Sequence, residues 1–530
     1  YVGLIPRFSR IFLGDKEFNK KRYAKHLKNV VNNKICPTCK GQRLNSKILS
    51  SKIMSKNISD FTQMTIKENL EFLNKLEDPT AKYIIDPLKK QLEALKYIGL
   101  SYLTLNRVTT TLSGGEAQRL KLIRHLNSSL SDLVYIIDEP SVGLHPEDIA
   151  KINEILKSLK DKGNTVLIVE HDPDVIKEGD YIIDMGPGSG KNGGEITFEG
   201  TYNELLSSNT STGNALRHKH NLKENIREAN HFYNIGPVTQ NNLNNVKTSI
   251  PKHVLTVLTG VAGSGKSTLV KAGFENNDHT IFIDQKAVQG SNRSNLLTYL
   301  GVFDSVRSFF SKETGLNKAM FSYNSKGACP NCGGKGYIKT ELAFMGDFSQ
   351  TCEVCHGKRY KQEVLDATID GYSIADVLDL TVDEGIIFFD KKNDIKSKLQ
   401  SVSKTGLNYM SLGQPLSTLS GGEIQRVKLA QHLDEEIKNS IFIFDEPTTG
   451  LHESDIPILM ECFDDLIDQN NTVILIEHNL SIMCEADWII DVGPGPGLDG
   501  GKVQFSGTPK NFIDSSETLT SKHLKRYINQ

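Results

Sequence analysis

Residues Leu112-Ser113-Gly114-Gly115-Glu116-Ala117-Gln118-Arg119 and Leu419-Ser420-Gly421-Gly422-Glu423-Ile424-Gln425-Arg426 are near-copies of one another. The likeness runs on. Asp138-Glu139-Pro140 returns as Asp445-Glu446-Pro447, Glu170-His171 as Glu477-His478 and Gly200-Thr201 as Gly507-Thr508, each 307 residues later. A shift held from Ser113 to Thr201 means duplicated domains with no net insertion between these landmarks, and a 307-residue period is far too long for a solenoid.

Each copy alternates. The glycine-rich motif opens a helical stretch, and an apolar run, 133–137 or 441–444, then ends in Asp-Glu. A second helical stretch, 146–161 or 453–469, precedes another apolar run, 166–169 or 473–476, that ends in Glu-His. Short all-apolar strands alternating with helices predict an α/β fold with a buried parallel sheet in each copy. The acids and histidines then fall at strand C-termini, where open α/β sheets gather ligands.

Gly260-Val261-Ala262-Gly263-Ser264-Gly265-Lys266-Ser267 fits G-x-x-x-x-G-K-[ST] and sits between an apolar run, 254–258, and a helical stretch. Gly260, Gly263 and Gly265 let backbone N–H groups wrap phosphates at a helix N-terminus. Lys266 is expected to reach the β- and γ-phosphates, Thr268 to bind the nucleotide beside it, and the Ser267 hydroxyl to meet Mg²⁺. Asp445 is placed to hold the Mg²⁺ shell, Glu446 to orient or deprotonate an attacking water, and His478 to contact the γ-phosphate. ATP and Mg²⁺ are thus the expected cofactors. Asp138, Glu139 and His171 are the first copy's equivalents. The residue 307 before Lys266 would precede position 1, and no G-x-x-x-x-G-K occurs in 1–112, so the first copy lacks its P-loop region here. Residue 1 is Tyr, and the chain is expected to be a fragment, a processed product or a trimmed piece.

Six of the eight cysteines fall in C-x-x-C pairs. Cys329/Cys332 and Cys352/Cys355 form C-x-x-C-x19-C-x-x-C, the spacing of a four-thiolate, structural Zn²⁺ site. Cys36/Cys39 has no second pair, so a metal ligand pair and a plain turn both stay open. Cys462 and Cys484 read as inert core thiols.

Apolar residues make up 38% and charged residues 24% of the chain, which excludes fibrous and wholly disordered classes. No run approaches the ~18 apolar residues of a membrane span, and no signal segment leads the chain, so a cytoplasmic location without membrane contact is expected. The net charge of −2 names no partner, but residues 1–48 carry 12 Lys and Arg against 2 Asp and Glu. Such a surface can neutralise phosphates without reading sequence. Arg7, Arg10, Lys20, Lys21, Arg22 and Lys25 are candidate DNA contacts. Lys335, Lys339, Lys358 and Arg359, around the zinc motif, are similar candidates; a solvated lysine-rich face is the alternative.

The glycine-rich signature beside Asp-Glu-Pro and a P-loop is the motif set of ABC-type ATPases. That resemblance implies two heads facing head-to-tail, each P-loop closing on the other's signature. Lys266, Ser267, Asp445, Glu446 and His478 would then be capped by Ser113, Gly114, Gly115 and Glu116. Asp138, Glu139 and His171 would meet Ser420, Gly421, Gly422 and Glu423. Further stretches are similar to the UvrA family of bacterial excision repair: Cys352-Glu353-Val354-Cys355-His356-Gly357-Lys358-Arg359-Tyr360, Ser291-Asn292-Arg293-Ser294-Asn295, Asp138-Glu139-Pro140-Ser141-Val142-Gly143-Leu144-His145 and Cys36-Pro37-Thr38-Cys39-Lys40-Gly41-Gln42-Arg43-Leu44. By this resemblance Gln285 is the loop glutamine that senses Mg²⁺ and nucleotide.

The expected organisation is two tandem ABC heads, the first without its P-loop region, with an inserted four-cysteine zinc module. Residues 1–110 form a signature-domain segment of the first head and 111–225 its remainder. Residues 230–290 form the P-loop part of the second head, 291–415 the insertion and 416–530 the remainder. The implied function is an ATPase that binds double-stranded DNA, in excision repair or in protection against DNA-binding drugs, as a homodimer. A UvrB-like partner stays open, because the regions that bind UvrB in the family are absent. The rival reading is an ABC module acting on a protein or ribosomal partner.

Overall fold

The computed structural model describes residues 34–529 apart from 113, 127–129, 276, 287–293, 343–345 and 436. The chain divides into two compact units: Tyr1–Glu77 with Thr104–Arg107, and Asp78–Leu103 with Val108–Gln530.

In the smaller unit, short helices Ser46–Leu49, Ile58–Gln63 and Ile66–Asn74 start at side-chain caps from Asn45, Asn57 and Thr65. Asp60 and Glu68 close capping boxes on the last two, satisfying N–H groups that the helices leave open. Cys36 and Cys39 share one turn, closed by Lys40 N–H donating to Cys36 O at 2.8 Å. Among the described residues no third metal-ligating side chain joins them.

The larger unit contains both repeats. In the first, helix α1 (Gly114–Leu126) leads to strand β1 (Val134–Asp138). Helix α2 (Pro146–Asp161) starts with Pro at its first turn and with His145 as its cap, accepting from Glu147 N–H. Strands β2 (Thr165–Val169), β3 (Ile182–Gly186) and β4 (Glu195–Gly200) follow. The second repeat opens with an antiparallel pair, β5 (Phe232–Gln240) and β6 (Leu243–Pro251), then β7 (Leu255–Thr259), helix α3 (Lys266–Phe274) and β8 (Thr280–Ile283).

The insertion carries two hairpins, β9 (Tyr337–Leu342) with β10 (Gly346–Thr351) and β11 (Thr368–Ile369) with β12 (Tyr372–Ser373). It has its own core, in which Phe310, Phe321, Tyr323, Tyr360, Phe389 and Leu399 are buried together. The chain returns through helix α4 (Gly421–Leu433), β13 (Ile441–Asp445), helix α5 (Ile456–Asp468), β14 (Thr472–Ile476), β15 (Trp488–Gly493), β16 (Lys502–Gly507) and helix α6 (Leu519–Ile528).

The second repeat's strands make one six-stranded sheet in the order β16-β15-β7-β14-β13-β8. Only the β15–β16 pairing is antiparallel. Phe463 and Leu466 of α5 pack on one face with Phe442 and Phe444. Val270 of α3, with Val238 and Val246, covers Ile443, Ile474 and Ile490 on the other. Each such side chain contributes ~1.5–3 kcal/mol when fully buried.

The first repeat departs from the expected buried sheet. Its strands form two separate pairs, β1–β2 and β3–β4, and among the described residues no strand joins β2 to β3 as β7 joins β14 to β15. Ile136 is 74% exposed where Ile443 is 1%, Leu167 50% where Ile474 is 0%, and Met185 64% where Val492 is 0%. The apolar runs do form strands, as their composition predicts. Among the described residues no counterparts of β5–β7 and α3 pack on these strands, and their faces are exposed.

Candidate functional site

The P-loop is the turn that joins β7 to α3. Strand β7 is buried along its length, and the chain leaves it through Gly260, Gly263 and Gly265, all at positive φ (128°, 74° and 105°). Only glycine enters that region without cost. A neighbouring loop braces the turn: Gly497 N–H donates to Gly263 O at 3.0 Å and Gly501 N–H to Ser264 O at 2.9 Å. Asn242 Nδ2 bonds both Gly263 O, at 3.3 Å, and Gly497 O, at 3.1 Å.

Lys266 starts α3 and is buried, its Nζ donating to Gly260 O at 2.7 Å and Val261 O at 3.1 Å. Burial pulls its pKa down to about 8, against the pull of Glu446, Asp491 and Asp445. Ser267 Oγ donates to Asp445 Oδ1 at 3.3 Å, and Lys271 Nζ to Asp445 Oδ2 at 3.3 Å. A hydroxyl beside a carboxylate is a donor set that suits Mg²⁺. Thr268, one residue on, accepts from Asn241 Nδ2 at 3.2 Å.

Glu446 follows β13 with φ 53°, a strained conformation for a residue with a side chain. Its counterpart Glu139 has φ 44°. Burial, with Asp445 and Glu477 nearby, raises the Glu446 pKa to about 7, while Lys266 and Arg119 oppose the shift. Gln285 Nε2 donates to Glu446 O at 3.2 Å and Thr449 Oγ1 at 2.9 Å. Gln425 Nε2 of α4 donates to Asp445 O at 2.6 Å. Glu477 ties the loops together, accepting from Thr448 N–H at 2.9 Å, His478 N–H at 2.7 Å and Asn479 N–H at 3.1 Å. His478 is buried, its pKa pushed well down by desolvation, and its Nδ1 has no partner.

The first repeat reaches into this site. A β-carbon on Gly143 would stand 2.8 Å from Glu446 Oε2, and one on Gly450 would stand 3.2 Å from Glu139 Oε1. The rings of His145 and His478 meet edge-on at 5.9 Å, those of His171 and His452 at 6.3 Å. Each pair of contacts exchanges residues related by the 307 shift, as an isologous interface does. Between them lies a cavity of about 170 Å³ lined by Glu139, Gly143, His171, Glu446, Gly450 and His478. Glu139 also faces His171, Oε1 to Nε2 at 3.6 Å. Asp138 ends β1 as Asp445 ends β13.

Both signature turns rest on their own repeat. A β-carbon on Gly115 would come within 2.8 Å of Val142 O, and one on Gly422 within 2.3 Å of Thr449 O. Ser420 caps α4, with Glu423 closing the capping box, and Gly421 lies against Gln285. Ser113 lies outside the described residues. Glu116 accepts from the Tyr102 hydroxyl at 2.6 Å.

Residues 243–449 match a family model described as ABC transporter. The chain is 41% identical to UvrABC system protein A of Aquifex aeolicus over its full length, and 40% identical to that of Bacillus subtilis. It spans 61% and 59% of those two proteins. The crystal structure of UvrA2 from Deinococcus radiodurans matches with a TM-score of 0.90 and 36% identity, over 98% of this chain and 69% of that one. The chain belongs to the UvrA family.

This UvrA-family chain also brings its four-cysteine motif together. Cys329, Cys332, Cys352 and Cys355 are buried with their sulfurs within 4.8 Å of one another. Cys329–Cys352 is 4.0 Å and Cys332–Cys355 3.7 Å, far longer than a disulfide. Thiolates at ~2.3 Å from one tetrahedral Zn²⁺ stand about 3.8 Å apart, so the set fits zinc. Asn331 Nδ2 donates to Cys352 Sγ at 3.3 Å and Gly336 N–H to Cys332 Sγ at 3.2 Å, which favours thiolates. Lys335 and Lys339 are exposed on the same module. Lys358 is paired with Asp376 at 2.9 Å, and Arg359 stacks over Tyr323. Arg7, Arg10, Lys20, Lys21, Arg22 and Lys25 lie outside the described residues. Among the described residues no helix is long and apolar enough to cross a membrane.

Sequence reasoning missed Tyr102, Arg119 and Asn242, and it marked Glu477 as a strand-end acid without its bracing role. The repeat offered a signal for Tyr102, Arg119 and Glu477, since Tyr102 recurs as Tyr409, Arg119 as Arg426 and Glu170 as Glu477. Nothing marked Asn242, which works only through the folded loop beside it.

Proposed function

We propose that the chain is an ATP-hydrolysing, duplex-DNA-binding protein of the UvrA type, with two facing ABC heads whose contact closes the nucleotide site around Lys266. The observation that carries this is Glu446. It is buried beside Lys266 and Asp445 of its own repeat, and it is closed in by Gly143 and Arg119 of the other. The reciprocal contacts at the 307 spacing support two facing heads.

In this reading the P-loop N–H groups and Lys266 hold the phosphates, with Gly114, Gly115 and Glu116 closing from the other head. Ser267 and Asp445 would hold Mg²⁺, which supplies neutralising charge when bound. Glu446, with a pKa near neutrality, takes the proton of the attacking water, and Gln285 and His478 orient the γ-phosphate. Glu139 and His171 line the reciprocal site of the first repeat. Zn²⁺ on the four cysteines is structural, since four thiolates leave no open position.

The DNA reading rests on family membership, on Lys335 and Lys339 and on the basic 1–48 segment. Its target is damaged or drug-distorted duplex, sensed through shape and deformability. The protein acts as a homodimer in the cytoplasm. Fluorescence anisotropy of plain and lesion-bearing duplexes, at low and moderate salt and with ATP or ADP, tests this. The expected result is salt-sensitive binding that changes with the nucleotide. Absence of binding to any duplex at low salt would overturn it.

A further inference from the structure

Tyr102 lies in the first repeat, yet its ring covers the P-loop of the second. A β-carbon on Gly263 would stand 2.8 Å from Tyr102 Cζ, and one on Gly497 2.6 Å from Tyr102 Cβ. Both glycines have positive φ, 74° and 59°, and they are joined by the Gly497 N–H to Gly263 O bond. The ring therefore seats on a seam of two glycines, where any larger residue would push it off. The ring carbon that lies over Gly263 bears the hydroxyl, and that hydroxyl donates to Glu116 Oε1 at 2.6 Å, the length of a charge-assisted bond.

Glu116 occupies the third helical position of the signature helix α1. In α4 the equivalent Glu423 shows what that carboxylate does. Ser420 N–H donates to Glu423 Oε2 at 2.8 Å, fixing the first turn, while the Tyr409 hydroxyl donates to Oε1 at 2.8 Å. Tyr409 in turn packs on Gly190, whose β-carbon would stand 3.0 Å from Tyr409 Cβ. Gly190 and Gly497 are 307 residues apart, as are Tyr102 and Tyr409. The same trio of glycine turn, tyrosine and signature glutamate thus spans both seams.

We infer that Tyr102 is a positioning residue for ATP turnover, a strut from the P-loop around Lys266 to the N-terminal turn of the opposing signature helix. The strut holds the Gly114 and Gly115 N–H groups in register with a triphosphate lying on the P-loop. This deepens the composite-site reading and rests on it. Lys266 and its own loop carry most of the ground-state grip on ATP. Tyr102 acts on closure, where the charge of the transition state develops.

The test compares wild type with Tyr102→Phe, Tyr102→Ala, Glu116→Gln, the double variant Tyr102→Phe/Glu116→Gln, and Lys266→Ala. Its readouts are kcat and KM for ATP, binding of a fluorescent ATP analogue, and Tm. Tyr102→Phe keeps the ring but loses the hydroxyl, and kcat should fall about tenfold while KM and analogue binding change less than about twofold. Tyr102→Ala should lose more of kcat with the Tm nearly unchanged. Glu116→Gln should add little once Tyr102 is Phe, since the two act as one unit. Lys266-dependent turnover that survives both Tyr102 variants, or losses that multiply in the double variant, would overturn the inference alone. Turnover that does not depend on Lys266 would overturn the composite-site reading, and the inference with it.

Discussion

The Glu446 carboxylate lies against the α-carbon of Gly143, so closely that a β-carbon there would stand 2.8 Å from Oε2. The two residues belong to different repeats, and Glu139 and Gly450 stand in the same relation at 3.2 Å. The atom a new methyl would displace is the far end of a flexible side chain, and that end is the proposed base.

Gly143→Ala should therefore damage turnover more than stability. Its φ of 67° adds strain of ~1–2 kcal/mol, while the displaced carboxylate should lower kcat by at least about tenfold. Thermal melting and steady-state ATP turnover on the same preparation check this.

A pH profile tests the base. The Glu446 carboxyl is raised to about 7, so at lower pH the free protein holds it protonated and unable to accept a proton. The value of kcat/KM for ATP should climb as pH rises through about 7 and fall again above about 8, where Lys266 loses the charge that holds the phosphates. In Glu446→Gln that acid limb should vanish along with most of the activity.

Much of this site was legible in the residues. The P-loop, the acids after β13 and the thiolate quartet each carry their chemistry in spacing, and the 307 shift located the second set. What the sequence concealed was environment. The runs at 133–137 and 441–444 read alike, yet Ile136 is exposed and Ile443 is not, because burial depends on which neighbours exist. Tyr102 was equally opaque. A tyrosine 161 residues from Gly263 announces its contact only through a fold that brings two repeats face to face.

The same asymmetry predicts two different costs for one substitution. Ile474→Ala, inside the six-stranded sheet, should cost ~2–5 kcal/mol, whereas Leu167→Ala at the equivalent exposed position should stay within about 0.5 kcal/mol. Denaturant titrations of both variants measure the pair. Equal losses would mean that the β1–β2 face is covered after all.

The four-cysteine cluster should bind about one Zn²⁺ per chain, measured by elemental analysis. Cys352→Ser or a strong chelator should remove it and lower the stability of the insertion by several kcal/mol. The six-stranded sheet has its own core and should melt separately, so calorimetry should show one transition moving and one staying.

The composite site is tested most directly by steady-state ATP hydrolysis of the whole chain, with and without duplex DNA, in wild type, Lys266→Ala and Glu446→Gln. The account predicts DNA-responsive turnover that both substitutions abolish. Turnover unchanged by either substitution would contradict it.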